Sequence, residues 1–81
     1  MEKKYVAYYK LNCADNQDLA RQQACVHGLC LDGCIIDEVV VQPEEQYMPH
    51  FRRAIETARR QKATLIVSNT QQQISRYSFG A

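Results

Sequence analysis

Four side chains of metal-ligating type crowd into ten residues: Cys25, His27, Cys30 and Cys34. Thiolate and imidazole hold zinc, but a structural site needs four ligands that converge from short knuckles such as Cys-x2-Cys. The spacing here is Cys-x-His-x2-Cys-x3-Cys. On one helix Cys25 and His27 would point to different faces. We therefore expect no metal: Cys25 packs inward, and Cys30 and Cys34 flank a loop. A Cys30–Cys34 disulfide is disfavoured in a reducing compartment. A second group, Arg52, Arg53, Arg59 and Arg60, falls on one face of a predicted helix, where it could touch nucleic-acid phosphates. Glu56 lies three or four positions from each of them and tempers that charge, so a solvated face is the simpler role. His50, beside Pro49 at the start of that helix, reads as solvated too.

The elements that would carry these residues are short. The chain has 81 residues, enough for a single domain spanning 1–81 with a modest core. Hydrophobic residues make up 46% and charged residues 23%, and the formal net charge is +1. That composition is ordinary for a globular domain and supplies no basic field for nucleic acid. No apolar run is long enough for a membrane span and no leader pattern is present, so the expected location is the cytoplasm, without membrane contact. The three glycines, Gly28, Gly33 and Gly80, are too scattered for a phosphate-binding loop or a dinucleotide fingerprint, and no cofactor is expected.

Residues 4–11, rich in Tyr and Val, predict a first strand, with Tyr5, Tyr8 and Tyr9 in core or sheet-face roles. Asp15 and Asn16 can cap a helix over 17–27, closed by Gly28 as a left-handed stop. Leu19, Ala20, Gln23, Ala24 and Val26 would form its inner face. A second strand follows over 36–41. A second helix has Pro49 in its first turn and Phe51, Ala54, Ile55 and Ala58 on its apolar side. Leu65, Ile66 and Val67 predict a third strand, and a helical turn is expected from Gln71. The pattern is an α/β domain: a short parallel sheet in β-α-β-α-β order, strand order 2-1-3, with helices packed on it.

The first strand and its sequel, Tyr5-Val6-Ala7-Tyr8-Tyr9-Lys10-Leu11-Asn12, then Leu19 and Gln22 on a helix, resemble the opening of the catalytic domain of serine recombinases, the resolvase/invertase family. There a Tyr-x-Arg-Val-Ser strand delivers the nucleophilic serine. At the other end, Gln71-Gln72-Gln73-Ile74-Ser75-Arg76 is similar to the family's Leu-Asp-Arg-Leu-Ser/Gly-Arg. The Asp37–Val41 run, the Gln22-Gln23-Ala24-Cys25 helix and Met48-Pro49-His50-Phe51 also look like family segments. The departures fall on the chemistry. Asn12 stands at the serine, Lys10 at an arginine, Met48 and Gln73 at two more arginines, and Gln42 and Gln72 at two acids.

What the resemblance implies is therefore a resolvase-like scaffold without its attacking atom. The remnant site would comprise Lys10, Asn12, Gln22, Gln73 and Arg76. A carboxamide is a poor nucleophile for a phosphodiester. Phosphoryl transfer also needs fixed cations, and one lost donor costs roughly 10²–10³ in rate. The expected function is a degenerate recombinase-like domain, a pseudoenzyme in DNA recombination, acting through protein contacts or weak DNA contact. No separate DNA-reading domain is expected. The missing later strand and long helix would leave a sheet edge and an apolar patch exposed, so self-association or a protein partner is expected. Two alternatives stay open: an active recombinase fragment using Ser68, Ser75 or a Cys13 thiol activated by Lys10, and an unrelated small α/β module that binds a ligand or protein.

Overall fold

The computed structural model describes residues 3–12, 16–71 and 73–79. Its elements are β1 (Lys3–Lys10), α1 (Asn16–Leu29), β2 (Gly33–Val41), α2 (Tyr47–Gln61), β3 (Thr64–Asn69) and β4 (Ile74–Ser78). They form a small α/β domain whose one sheet has the order β2-β1-β3-β4. β1 is central and runs parallel to both β2 and β3. β4 returns antiparallel along β3, so the sheet is mixed rather than wholly parallel.

The fourth strand replaces the expected helical turn after Gln71. The Asn69 carboxamide oxygen accepts from the backbone N–H of Gln71 and of Gln73, at 3.0 and 3.1 Å, and reverses the chain. This is the local hydrogen bonding by which asparagine favours turns. The returning segment then finds apolar partners. Ile74 packs on the α1 side of the sheet and Phe79 on the α2 side, and the Tyr77 ring meets Phe51 edge-on at 6.5 Å. β4 covers the edge of β3 that was expected to be bare. Among the described residues the open edges are those of β2 and β4.

Strand alternation sorts β1 into two cores. Val6 and Tyr8 face α2, with Val39, Val41, Leu65, Ala54 and Ala58. Tyr5, Ala7 and Tyr9 face α1, with Val26, Cys30 and Ile66. The helices therefore lie on opposite faces, and a strand buried on both sides reads as the near-continuous apolar run seen from Tyr5 to Tyr9. In β2 the register slips between Tyr5 and Val6, leaving Ile36 as an extra residue. This bulge lets Ile35 and Val40 pack on the α1 side while Val39 and Val41 pack on the α2 side.

Both helices differ in detail from the sequence expectation. The buried line of α1 is Asp18, Gln22 and Val26, with Leu19 partly buried, whereas Ala20, Ala24 and Cys25 are exposed. Cys25 thus faces solvent, not the core. α1 runs through Gly28 to Leu29, and no glycine among the described residues has a positive φ. The left-handed stop belongs instead to Lys62 after α2, at φ 54° and ψ 44°. There the Ala63 N–H closes the helix on the Ala58 carbonyl at 2.7 Å, a Schellman-type ending. On α2 the expected apolar side holds: Ala54 and Ala58 are sealed and Phe51 and Ile55 partly covered. Asp15, the expected cap of α1, lies outside the described residues.

Candidate functional site at the carboxyl ends of the strands

β1 connects to β2 on one side and the chain then crosses to β3 on the other, so the strand order reverses between β1 and β3. In open α/β sheets, ligands bind in the crevice outside the carboxyl ends at such a reversal. The chain places its most buried polar side chains there. Asp18, Gln22 and Ser68 are each only 1% exposed. The Ser68 hydroxyl donates to Gln22 Oε1 at 2.9 Å, and Gln22 Nε2 donates to Asp18 Oδ2 at 3.1 Å, with a longer 3.5 Å approach to the Lys10 carbonyl. Thr70 Oγ1 donates to the same Asp18 oxygen at 2.8 Å and accepts from the Asn12 backbone N–H at 3.0 Å. Arg21 closes the network on Asp18 Oδ1 at 2.9 Å.

The network ties the end of β1, the first turns of α1 and the end of β3 into one unit. Burial alone would push the Asp18 carboxyl up, but hydrogen bonds from Arg21, Thr70 and Gln22, with the Arg21 charge, outweigh it and hold the group below the usual carboxylate range. Sequence reading found Gln22 through the resemblance and Ser68 as a spare hydroxyl, but missed Asp18, Arg21 and Thr70. The available signal was periodicity. Asp18 and Gln22 stand four apart on the face that continues to Val26, and Ser68 and Thr70 stand two apart at the end of a strand.

A cleft of about 400 Å³ opens beside this unit, lined by Lys10, Leu11, Gln42, Pro43, Glu45, Gln46, Tyr47 and Met48. The ends of β1 and β2 form its floor and the start of α2 its wall. The Lys10 ammonium lies over the Tyr47 ring, 4.6 Å from its centroid. Glu45 pairs with His50 at 2.6 Å. The cleft therefore carries one lysine and one carboxylate on a largely apolar surface.

The five remnant-site residues do not form one site. Gln22 and the Asn12 backbone meet through Thr70 and Asp18. The Lys10 side chain lies against Tyr47, on the α2 side of the sheet, while Gln22 lies on the α1 side. Gln73 accepts from Asn69 Nδ2 at 3.3 Å within the turn. Arg76 pairs with Ile66 across β3 and β4, and its charge acts on Tyr5 and Cys30, on the α1 side of the sheet. Strand pairing of β4 carries it away from the end of β1. Cys13 and Gln72 lie outside the described residues.

The remaining candidates are placed as follows. Cys25, Cys30 and Cys34 are free thiols, and no metal-holding group of His, Cys, Asp and Glu occurs among the described residues. Burial pushes the Cys30 thiol up, so it is held protonated and unreactive. His27 and Glu38 approach to 3.8 Å beside it. The buried Tyr9 hydroxyl makes no well-formed hydrogen bond, though its pKa is raised first by burial and then by the adjacent Glu38 carboxylate. Arg52, Arg53, Arg59 and Arg60 are all exposed, and among the described residues no ion pair joins them to Glu56. Among the described residues no helix is long and apolar enough to cross a membrane. Comparison with protein-family models, with curated proteins and with solved structures finds no match.

Proposed function

We propose that this domain is a catalytically silent module on a serine-recombinase-like plan, acting through protein contacts or weak DNA contact. The observation that carries the reading is the cleft at the ends of β1 and β2. Three of its lining residues, Lys10, Gln42 and Met48, are positions at which the resemblance calls for catalytic charge. Here they supply one cation, and Glu45 beside them repels a phosphodiester. Asn12 follows the end of β1. Thr70, whose hydroxyl oxygen accepts from the Asn12 backbone N–H, donates to Asp18, and Ser68 donates to Gln22. Ser68 donates to a carboxamide, which is no general base, and Thr70 to a carboxylate held below its usual range, which is a weak one.

Incubation with supercoiled DNA followed by denaturing protein gels tests this directly. No covalent protein–DNA adduct is expected, and an adduct overturns the reading. Asn12→Ser is expected to stay inert as well, because the cations at 48 and 73 are still missing; cleavage by that variant would show that the lost charge had been overweighted.

A second reading, an unrelated α/β module that binds a small ligand, is favoured by one observation. Arg76 sits on β4, away from Asn12, and the cleft exposes the large apolar side chains of Tyr47 and Met48. Salt-dependent DNA binding separates the two. The recombinase-like module, with its exposed α2 arginines, should lose DNA affinity steeply between low and moderate salt, whereas a ligand module should show none to lose.

A further inference from the structure

We propose that a second copy of this chain docks the open edge of its β4 against the open edge of β2, so that the sheet extends head to tail. The proposal does not depend on the recombinase-like reading. An uncovered strand offers a row of backbone donors and acceptors to any extended segment of matching length and charge. β2 and β4 are the two open edges among the described residues. Beyond its bulge at Ile36, β2 runs regularly from Asp37 to Val41, long enough to pair with residues 74–77 of β4.

Charge and side-chain facing select the partner and the register. β4 already runs antiparallel to the rest of its own sheet. A copy moved sideways without being turned over therefore brings its β4 antiparallel to β2, with the α1 side of both sheets on the same face. Directly opposed residues of an antiparallel pair share a face. Arg76, opposite Ile66, and Glu38, opposite Ala7, both belong to the α1 side. Setting Arg76 of one copy opposite Glu38 of the other brings Ile74 opposite Val40, two residues that already pack on that side. Tyr77 then falls opposite Asp37 on the other face. The like-with-like alternatives are worse. Antiparallel β2 with β2 in full overlap sets Asp37 against its own copy, and β4 with β4 sets Arg76 against Arg76. Like charges directly opposed destabilise a strand pair. A heterologous contact of this kind does not close on two subunits, so it propagates into open chains.

Sedimentation velocity over a range of concentrations tests the proposal. The expected result is an average mass that climbs past the dimer without a plateau. Glu38→Arg alone and Arg76→Glu alone should each weaken association by about tenfold, since each turns an attraction into a repulsion. An equal mixture of the two variants should associate again, because each edge then meets its opposite charge. Amide hydrogen exchange on the unaltered chain supplies a readout that needs no variant: protection within 37–40 and 74–77 should rise together with concentration. A chain that stays monomeric with unchanged protection overturns the proposal. So does a mass that stops at two, or a mixture no better than its parts.

Discussion

At the scale of the residue, Asp18 is the charge on which the site's geometry depends. It is 1% exposed and accepts from Arg21, Thr70 and Gln22 within 3.1 Å. A buried carboxylate persists as an anion only when such partners replace water. Its folded-state pKa lies below its unfolded value of about 3.9. The anion is thus favoured by folding. The associated stability is fully present above the unfolded pKa and is lost as pH falls through the folded one. Asp18→Asn should therefore cost about 1–3 kcal/mol at neutral pH, because an amide nitrogen then faces either the Arg21 guanidinium or the Thr70 hydroxyl, donor against donor. The variant should also lose less stability than the parent on going from pH 5 to pH 3. Urea denaturation at the two pH values checks both effects; equal acid sensitivity in parent and variant would remove Asp18 from the account. The Asn12 backbone hangs on this carboxylate through Thr70, so the same substitution should loosen the segment that follows β1.

At the scale of the element, two glycines that look alike in sequence have opposite roles. A Cβ on Gly33 would collide with the Lys3 carbonyl oxygen and come within 2.9 Å of the Tyr5 ring. Backbone cannot retreat there without breaking the start of the β1–β2 pairing, so Gly33→Ala should destabilise by about 2 kcal/mol or more. A Cβ on Gly28 meets nothing within 4 Å. The residue is helical, and Gly28→Ala should stabilise by roughly 0.5–1 kcal/mol, less if the last turn frays. Thermal melts of the two variants should shift in opposite directions; a loss of stability in Gly28→Ala would mean that α1 stops before residue 28. This contrast marks what was legible in the sequence. The strands through β3 and the helix α2 followed from apolar patterning, which reports burial directly. The ending of α1 did not, because a glycine after a helical run is compatible with a stop and with one more turn. The inner face of α1 was misplaced for a related reason: Ala20 and Ala24 read as apolar, yet the helix turns Asp18 and Gln22 inward. Their partners Ser68 and Thr70 lie some fifty residues away, and a long-range hydrogen-bond network leaves little trace in local pattern.

At the scale of the whole molecule, β4 decides whether the fold is complete. It could not be read from sequence because its strand character is conferred by partners. Of Ile74–Ser78 only Ile74 is partly buried, and the segment gains its conformation from pairing with β3. The stretch was instead aligned with a motif that follows the third strand in recombinases, and pairing carried Arg76 away from the place which that alignment gave it. The segment nevertheless packs one side chain on each face of the core. Without it the N–H and C=O groups of Thr64–Ser68 that face β4 lose their partners, Phe79 leaves the α2-side cluster, and Ile74 leaves the α1-side cluster. In a domain of this size the folded state is separated from the unfolded one by only several kcal/mol. Full burial of an aromatic or aliphatic side chain contributes about 1.5–3 kcal/mol; Phe79 and Ile74 are partly buried and give less, but with the lost backbone pairing of β3 their removal should consume much of that margin. A chain ending at Gln71 is accordingly expected to lack a cooperative melt at 25–60 °C, whereas Arg76→Ala, which truncates an exposed side chain and leaves the strand in place, should stay within about 0.5 kcal/mol of the parent. Circular dichroism through a thermal ramp distinguishes them. Cooperative unfolding of the shortened chain near the parent's midpoint would mean that the three parallel strands and two helices suffice, and that β4 is an ornament on the sheet edge.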